Sequence, residues 1–350
     1  SKYDNWSELR NRWRQNNINN FMSEIQYLSG KRNSIADVDG FLVGNSHDET
    51  LKSGVTVVYN ENPFTAAFHV MGGAPGTRET ELLAPDKLVK KVDALVLSGG
   101  SAFGLDAASG VADRLKEINR GYRAGDILVP IVPGAILFDL KNGGKKDWEI
   151  NPYKELGKSA FSNIKKNFDI GSFGAGNGAT TADLKGGLGT SSLVFKEKFV
   201  IGALVAVNSV GSTCFPGTNI LYSDYYGQES IDTPLTKNKN AIGPIKNLAH
   251  GSTTLGIICT NIDFDSSDLT RLATSSHAGI ARAVQPSHTP FDGDIIFSAS
   301  SGKFKVGNKD EDLMLACHLG AVCITKAIGN AIKSAEKREG DTLKTWQNFD

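Results

Sequence analysis

Neither charge sign is in surplus: 38 Lys and Arg stand against 38 Asp and Glu. That balance leaves no electrostatic footprint for nucleic acid or an anionic membrane. Cysteine is scarce. The four residues, Cys214, Cys259, Cys317 and Cys323, form no CxxC pair. A disulfide framework, a zinc site of the paired-cysteine kind and a dithiol redox motif are therefore not expected, and reduced, buried thiols are. HExxH is absent too, so no metal and no cofactor is expected. No stretch of membrane-spanning length is apolar throughout. The opening Ser1-Lys2-Tyr3-Asp4 carries no signal-peptide apolar region. A cytoplasmic location is the expectation, with a periplasmic one as the alternative if a leader was removed.

What the chain does have is ordinary globular composition over 350 residues, 40% hydrophobic and 22% charged, with 38 glycines. The glycines cluster with Ser, Ala and Thr, which points to tight turns and close backbone approaches. Trp6, Leu9, Trp13, Ile18, Phe21, Ile25 and Leu28 recur at roughly helical spacing and predict an N-terminal helical arm over 1–30. The body follows as one large catalytic domain over 31–340, with 341–350 as a tail. Strands are predicted at 54–59, 66–70, 92–97, 127–133, 199–208, 255–260 and 295–300. Helices are predicted from about 85, over 105–119, 157–167 and 267–283, and over 310–336 as a long amphipathic one. This alternation, without a fixed repeat, implies a mixed α/β architecture of layered sheets and helices. Residues 211–251 read as a long polar connection, with 233–240 the most mobile part.

Chemistry-bearing residues gather in a few places. His250-Gly251-Ser252-Thr253-Thr254 runs directly into the apolar strand Leu255–Thr260. A cut before Thr253 would create an N-terminal threonine, whose hydroxyl is a nucleophile and whose α-amine, with an ordinary pKa of about 7.7–8.0, is a base. Without such a cut the stretch is a Ser/Thr-rich turn into a core strand. Ser98-Gly99-Gly100-Ser101-Ala102-Phe103-Gly104 lies on a strand-to-helix turn. Backbone N–H groups of Gly99, Gly100 and Ser101 could hold an oxyanion or line a substrate pocket. Ser101 fails the GxSxG elbow because position 103 is Phe. Gly174-Ala175-Gly176-Asn177-Gly178-Ala179 fits a loose GxGxxA pattern but opens no βαβ unit, so nucleotide binding is not expected. Lys185 stands alone among glycines. Asp292 and Asp294, flanking Gly293, face one side of an extended segment.

Taken in order, these stretches resemble the self-processing aminopeptidases of the DmpA type. The resemblance runs from about Ile35 to Ala335. It rests on Asp37–Gly44, Gly54–Val58, Gly73–Thr80, Leu97–Ala108, Val132–Leu140, Gly176–Thr180, Lys185–Gly189, Val207-Asn208 and Phe291–Asp294. It implies a four-layer α/β/β/α sandwich of the DmpA/ornithine-acetyltransferase type, cut by itself into a large and a small chain. By the same resemblance the cut falls between Ser252 and Thr253, with Ser252 the competing nucleophile. Lys185, Asn208, Asp292 and Asp294 match the active-site set of the family's nylon-oligomer (6-aminohexanoate-oligomer) hydrolases. Asn208 would serve the oxyanion, the aspartates would hold an amine, and Lys185 would keep the Thr253 amine neutral. Phe138 departs from relatives that carry a Tyr there. The resemblance thus implies an amidase or aminopeptidase acting on small peptides or amino-acid amides, as a homo-oligomer, a tetramer by analogy. The alternatives are an acyltransferase of the ornithine-acetyltransferase type and a non-catalytic glycine-loop binding protein.

Overall fold

The computed structural model describes residues 25–226, 241–247 and 251–349. Twelve strands are described. β1 (Tyr27–Ser29), β2 (Phe41–Asp48), β3 (Ser53–Val70), β4 (Thr77–Arg78), β5 (Val92–Ser98) and β6 (Tyr122–Ala124) come first. β7 (Ile127–Val129), β8 (Gly134–Ile136), β9 (Gly187–Phe195), β10 (Phe199–Asn208), β11 (Thr253–Ile262) and β12 (Ile295–Phe304) follow. The α-helices among the described residues are α1 (Ala107–Glu117), α2 (Tyr153–Ser162), α3 (Tyr222–Tyr226), α4 (Ser266–Ala283) and α5 (Lys309–Ser334).

One strand organises the rest. The two strands predicted at 54–59 and 66–70 are a single element, β3, shared by two sheets. Its first half pairs with β2 and β5, and its second half, Thr65 to Val70, pairs with β12. The first sheet runs β1-β9-β10-β11-β12-β3, and the second runs β2-β3-β5-β8-β4. Between the halves the register shifts past Tyr59, at Asn60–Phe64, which lets the strand pass from one sheet to the other.

Three apolar layers fill the spaces between four layers of structure. α4 and α5 cover the outer face of the first sheet through Ile201, Val205, Val207 and Ile258, met by Leu272, Ile280, Ile324 and Ile328. Leu204, Leu255, Ile257 and Cys259 face Val58, Leu95 and Leu97 between the sheets. Val55, Val57 and Val96 meet Val111, Leu115 and Tyr153 of α1 and α2 on the far side. β10 and β11 are apolar on both faces because both faces are buried. The α/β/β/α sandwich is therefore present. α5 is long and apolar enough to span a bilayer, yet its most apolar window is 78% buried inside the protein.

Several expectations need correction. Residues 27–29 are a strand on β9, not part of a helix; 1–24 lie outside the described residues, as does the 233–240 segment. The 127–133 run splits at its prolines, which have no N–H to give a ladder. Residues 127–129 pair with β6, while Ile131 and Pro133 offer the β5 backbone only their carbonyls as acceptors, and the regular ladder resumes at Gly134. The helix placed near 85 is a 3-10 turn at Glu81–Leu83. The helix placed at 157–167 begins earlier, where Asn151 Oδ1 accepts the Tyr153 N–H at 2.9 Å. Residues 341–349 are no loose tail: Asp341 and Thr345 are buried or nearly so, and Trp346 and Phe349 pack on the α4–α5 core.

Candidate active site

Thr253 is the first residue of β11 and stands opposite Asn208, the last residue of β10. The two-faced burial of these strands holds both residues at the sheet end: Thr253 is 3% exposed and Asn208 fully buried. The Ser252–Thr253 peptide is wrapped by hydrogen bonds. The Ser252 carbonyl oxygen accepts the Gly293 N–H at 2.8 Å, and Thr253 Oγ1 donates to the same oxygen at 2.6 Å. A hydroxyl and a backbone N–H thus converge on one carbonyl oxygen. Gly293 is required there for space as well. A Cβ on it would come within 2.6 Å of both Thr253 Oγ1 and the Ala74 carbonyl.

The two aspartates flank that donor. Asp294 Oδ1 accepts the Thr254 N–H at 2.7 Å, which ties β11 to the Asp-Gly-Asp segment at its first turn of pairing. Asp294 Oδ2 accepts the His288 N–H at 3.0 Å and lies 2.9 Å from His288 Nδ1. His288 Nε2 in turn faces the His277 carbonyl at 3.3 Å. Nε2 thus has a hydrogen-bond partner, while Nδ1 meets Asp294 as an ion-pair contact. Burial pushes the His288 pKa down, but the hydrogen bond and charge of Asp294 outweigh it and leave it raised. His277 moves the other way: burial pushes it down to about 4, so it stays neutral. Asp292 accepts from Val210 N at 3.1 Å and from Thr289 N and Oγ1 at 3.1 and 2.7 Å. Burial and then the Asp294 charge push its carboxyl up.

The remaining expected residues are placed differently. Asn208 Nδ2 donates to the Phe138 carbonyl at 2.9 Å, and its Oδ1 accepts the Thr180 N–H at 2.9 Å. Its amide is spent there, while the Gly293 N–H serves the Ser252 carbonyl. Phe138 contributes a carbonyl, and its ring packs against Gly251. Lys185 gives its ammonium to Asp341 Oδ2 at 2.7 Å and to the Glu336 carbonyl at 2.8 Å. It is bound to the C-terminal segment, and burial pushes its pKa down. Gly99, Gly100 and Ser101 are not free donors. Their N–H groups go to Gly54 O at 2.9 Å, Asp139 Oδ1 at 2.8 Å and Leu137 O at 2.9 Å. That loop is a structural turn, with Gly100 at φ 87°. Gly174–Gly176 is likewise a 3-10 turn, its Ala175 N–H given to Thr56 Oγ1 at 2.9 Å.

Three residues were not anticipated. Gly293 acts through its backbone, and the side-chain pattern around it drew attention to the aspartates. His288 lies in a turn at φ 54° with no motif around it. Lys246 reads as one more lysine of a polar loop, yet it is buried: Nζ donates to the Thr180 carbonyl at 2.6 Å and lies 3.5 Å from Asn208 Oδ1. Burial pushes its pKa down to about 7, against the pull of Asp292 and Asp139.

This shift has a measurable consequence. Between pH 7 and the ordinary lysine value of 10.5 the unfolded chain holds a proton that the folded chain has released. Stability therefore rises with pH across that window. In an uncut background, Lys246→Met should flatten the rise between pH 7 and 9 by on the order of 2 kcal/mol in urea unfolding. Equal slopes would show that Lys246 is not buried as an amine.

The fold and this site define a class. A hydroxyl residue opens a central strand of an α/β/β/α sandwich. Solved structures of that fold superpose on the chain. The Burkholderia sp. beta-aminopeptidase does so with a TM-score of 0.69 at 18% identity, covering 91% of this chain and 92% of that one. The L-aminopeptidase D-Ala-esterase/amidase of Ochrobactrum anthropi, described as a variant of the Ntn hydrolase fold, gives 0.65 at 22% identity, over 91% and 90%. The sequence profile of peptidase family S58 matches residues 33–345, and the chain belongs to that family. An uncharacterized aminopeptidase of Mycobacterium tuberculosis is 38% identical over 288 residues, 78% of this chain and 83% of its own. A 6-aminohexanoate-oligomer endohydrolase of Kocuria sp. is 26% identical over 288 residues, 78% and 76%. The protein is a hydrolase of peptide or amide bonds; the acyltransferase alternative finds no support among these relatives.

Proposed function

We propose that the chain cuts its own Ser252–Thr253 bond and then hydrolyses amide bonds of small amine-bearing substrates through Thr253. The observation that carries this is the pair of contacts on the Ser252 carbonyl oxygen, Gly293 N–H at 2.8 Å and Thr253 Oγ1 at 2.6 Å. In the first stage Oγ1 attacks the Ser252 carbonyl carbon and Gly293 N–H holds the oxyanion. The C–N bond breaks, and the hydroxyl proton ends on the departing Thr253 nitrogen. This leaves an ester between Ser252 and Thr253. Water hydrolyses it, releasing a Ser252 carboxylate and a Thr253 with free hydroxyl and free amine. In the second stage that amine takes the Oγ1 proton as the hydroxyl attacks a substrate amide. Asp292 and Asp294 orient the amine, with Asp294 fixed by His288 and Thr254. Asn208 Nδ2, released from the Phe138 carbonyl, is the side-chain donor for the substrate oxyanion.

The aminopeptidase relatives support a substrate amide whose acyl part carries a free primary amine. The test compares alanine, β-alanine and 6-aminohexanoate p-nitroanilides with their N-acetyl forms. At least one free-amine substrate should be hydrolysed, and acetylation should lower kcat/KM by about 100-fold or more. No hydrolysis of any of them, or equal rates with acetylated substrates, contradicts the reading.

A further inference from the structure

In residues 241–247 the side chain that turns inward is the charged one. Ile242 and Ile245 are 77% and 49% exposed, whereas Lys246 keeps 8% of its surface. Hydrophobic burial alone would arrange them the other way round. A lysine amine is taken out of water at this cost only where acceptors receive it. Here they are the Thr180 carbonyl at 2.6 Å and Asn208 Oδ1 at 3.5 Å, with Asp292 and Asp139 adding negative charge. The Lys246 N–H is pinned to the Val210 carbonyl at 2.9 Å, so the insertion is anchored at its base.

The acceptors belong to the body of the fold, and the amine belongs to the segment just before the candidate cut. Asn208 faces Thr253 across the β10–β11 ladder. Facing residues in such a ladder have Cα atoms about 4.5–5.5 Å apart. An amine held on Asn208 is therefore within a few bonds' reach of a carbonyl at Thr253. Cleavage at Ser252 frees the downstream end of the segment that carries Lys246.

We propose that the Thr180 carbonyl and Asn208 Oδ1 form a primary-amine subsite, filled by Lys246 in the uncut chain and by the free amine of the substrate after the cut. Lys246 is thus an internal stand-in for the substrate. The inference rests on the amide-hydrolase reading above and supplies the group by which that site selects its substrates.

The experiment uses the uncut Thr253→Ala chain, so that hydrolysis plays no part. Lys246→Ala in that background empties the subsite. n-Butylammonium chloride is the probe, and 1-butanol and tetramethylammonium chloride are the controls, one lacking charge and the other lacking N–H. The Tm of the double variant should rise by about 2 °C or more with saturating n-butylammonium and with neither control. The Thr253→Ala parent, with Lys246 in place, should not respond. No rise in the double variant, or the same rise in the parent, overturns the proposal. If the double variant does not fold, processed wild-type enzyme decides: n-butylammonium should inhibit competitively and 1-butanol should not, and any other pattern overturns it. A chain that binds n-butylammonium but hydrolyses no amide contradicts the proposed function alone. A working hydrolase whose Lys246→Ala variant ignores n-butylammonium contradicts the subsite alone.

Discussion

Thr253→Ala is expected to yield one uncut chain on a denaturing gel and to lower amide hydrolysis by about 10⁴-fold or more. One side chain carries both losses. On the proposed mechanism the hydroxyl that attacks the Ser252 carbonyl in the first stage attacks the substrate in the second, and without the cut no free amine exists to serve as base. Folding should survive. Thr253 sits at the end of a ladder whose pairing to Asn208 is through the backbone, and Ala keeps it. Thr253→Ser keeps the hydroxyl and should still be cut. Ser252→Ala should be cut as well, since the attack falls on the main-chain carbonyl, which Ala keeps. A Ser252→Ala chain that stays whole, beside a Thr253→Ala chain that is cut, would move the nucleophile one residue back.

Asp294→Asn should cost about 3–5 kcal/mol of stability, measured by urea unfolding in the uncut Thr253→Ala background. The carboxylate is 1% exposed, paired with His288 and bonded to the Thr254 and His288 N–H groups. Removing one partner of a buried pair strands the other. An amide there also brings an NH₂ against donors. If the pair is the source of the loss, His288→Gln combined with Asp294→Asn should cost less than the two single losses added. The pH dependence follows from the raised His288 pKa. A raised histidine contributes stability that is complete below its unfolded value of 6.5 and disappears as pH rises through the folded value. The coupling between Asp294 and His288 should therefore be largest at pH 5.5–6 and shrink toward pH 9. Strict additivity at pH 6 would show that the pair is not an ion pair.

The large features of this fold were legible because periodicity and apolar runs report burial directly. β10, β11, α4 and α5 are present within a few residues of expectation, since each has at least one long apolar face. The union of two predicted strands into β3 was not legible. Asn60-Glu61-Asn62-Pro63 between the halves looks like a loop and is the crossing between sheets. In the site, Thr253, Asn208, Asp292 and Asp294 were named from sequence and lie together at one sheet end. Lys185 is bridged to Thr180 beside Asn208, but its ammonium is taken by Asp341, from a segment that reads as a tail. Gly99, Gly100 and Ser101 have their donors consumed by residues far off in sequence, a pairing that no local pattern encodes. Gly293 and Lys246 went unseen for opposite reasons. One contributes an N–H that every residue but proline possesses. The other is the residue type most often left in water.

The central claim is the cut at Ser252–Thr253 by the chain's own Thr253. Intact mass with N-terminal sequencing of protein purified without added protease tests it most directly. The account predicts two chains, the smaller being residues 253–350, 98 in all (350 − 252), with threonine as its first residue. A single whole chain in a preparation that hydrolyses amides, or a small chain beginning at any other residue, would contradict it.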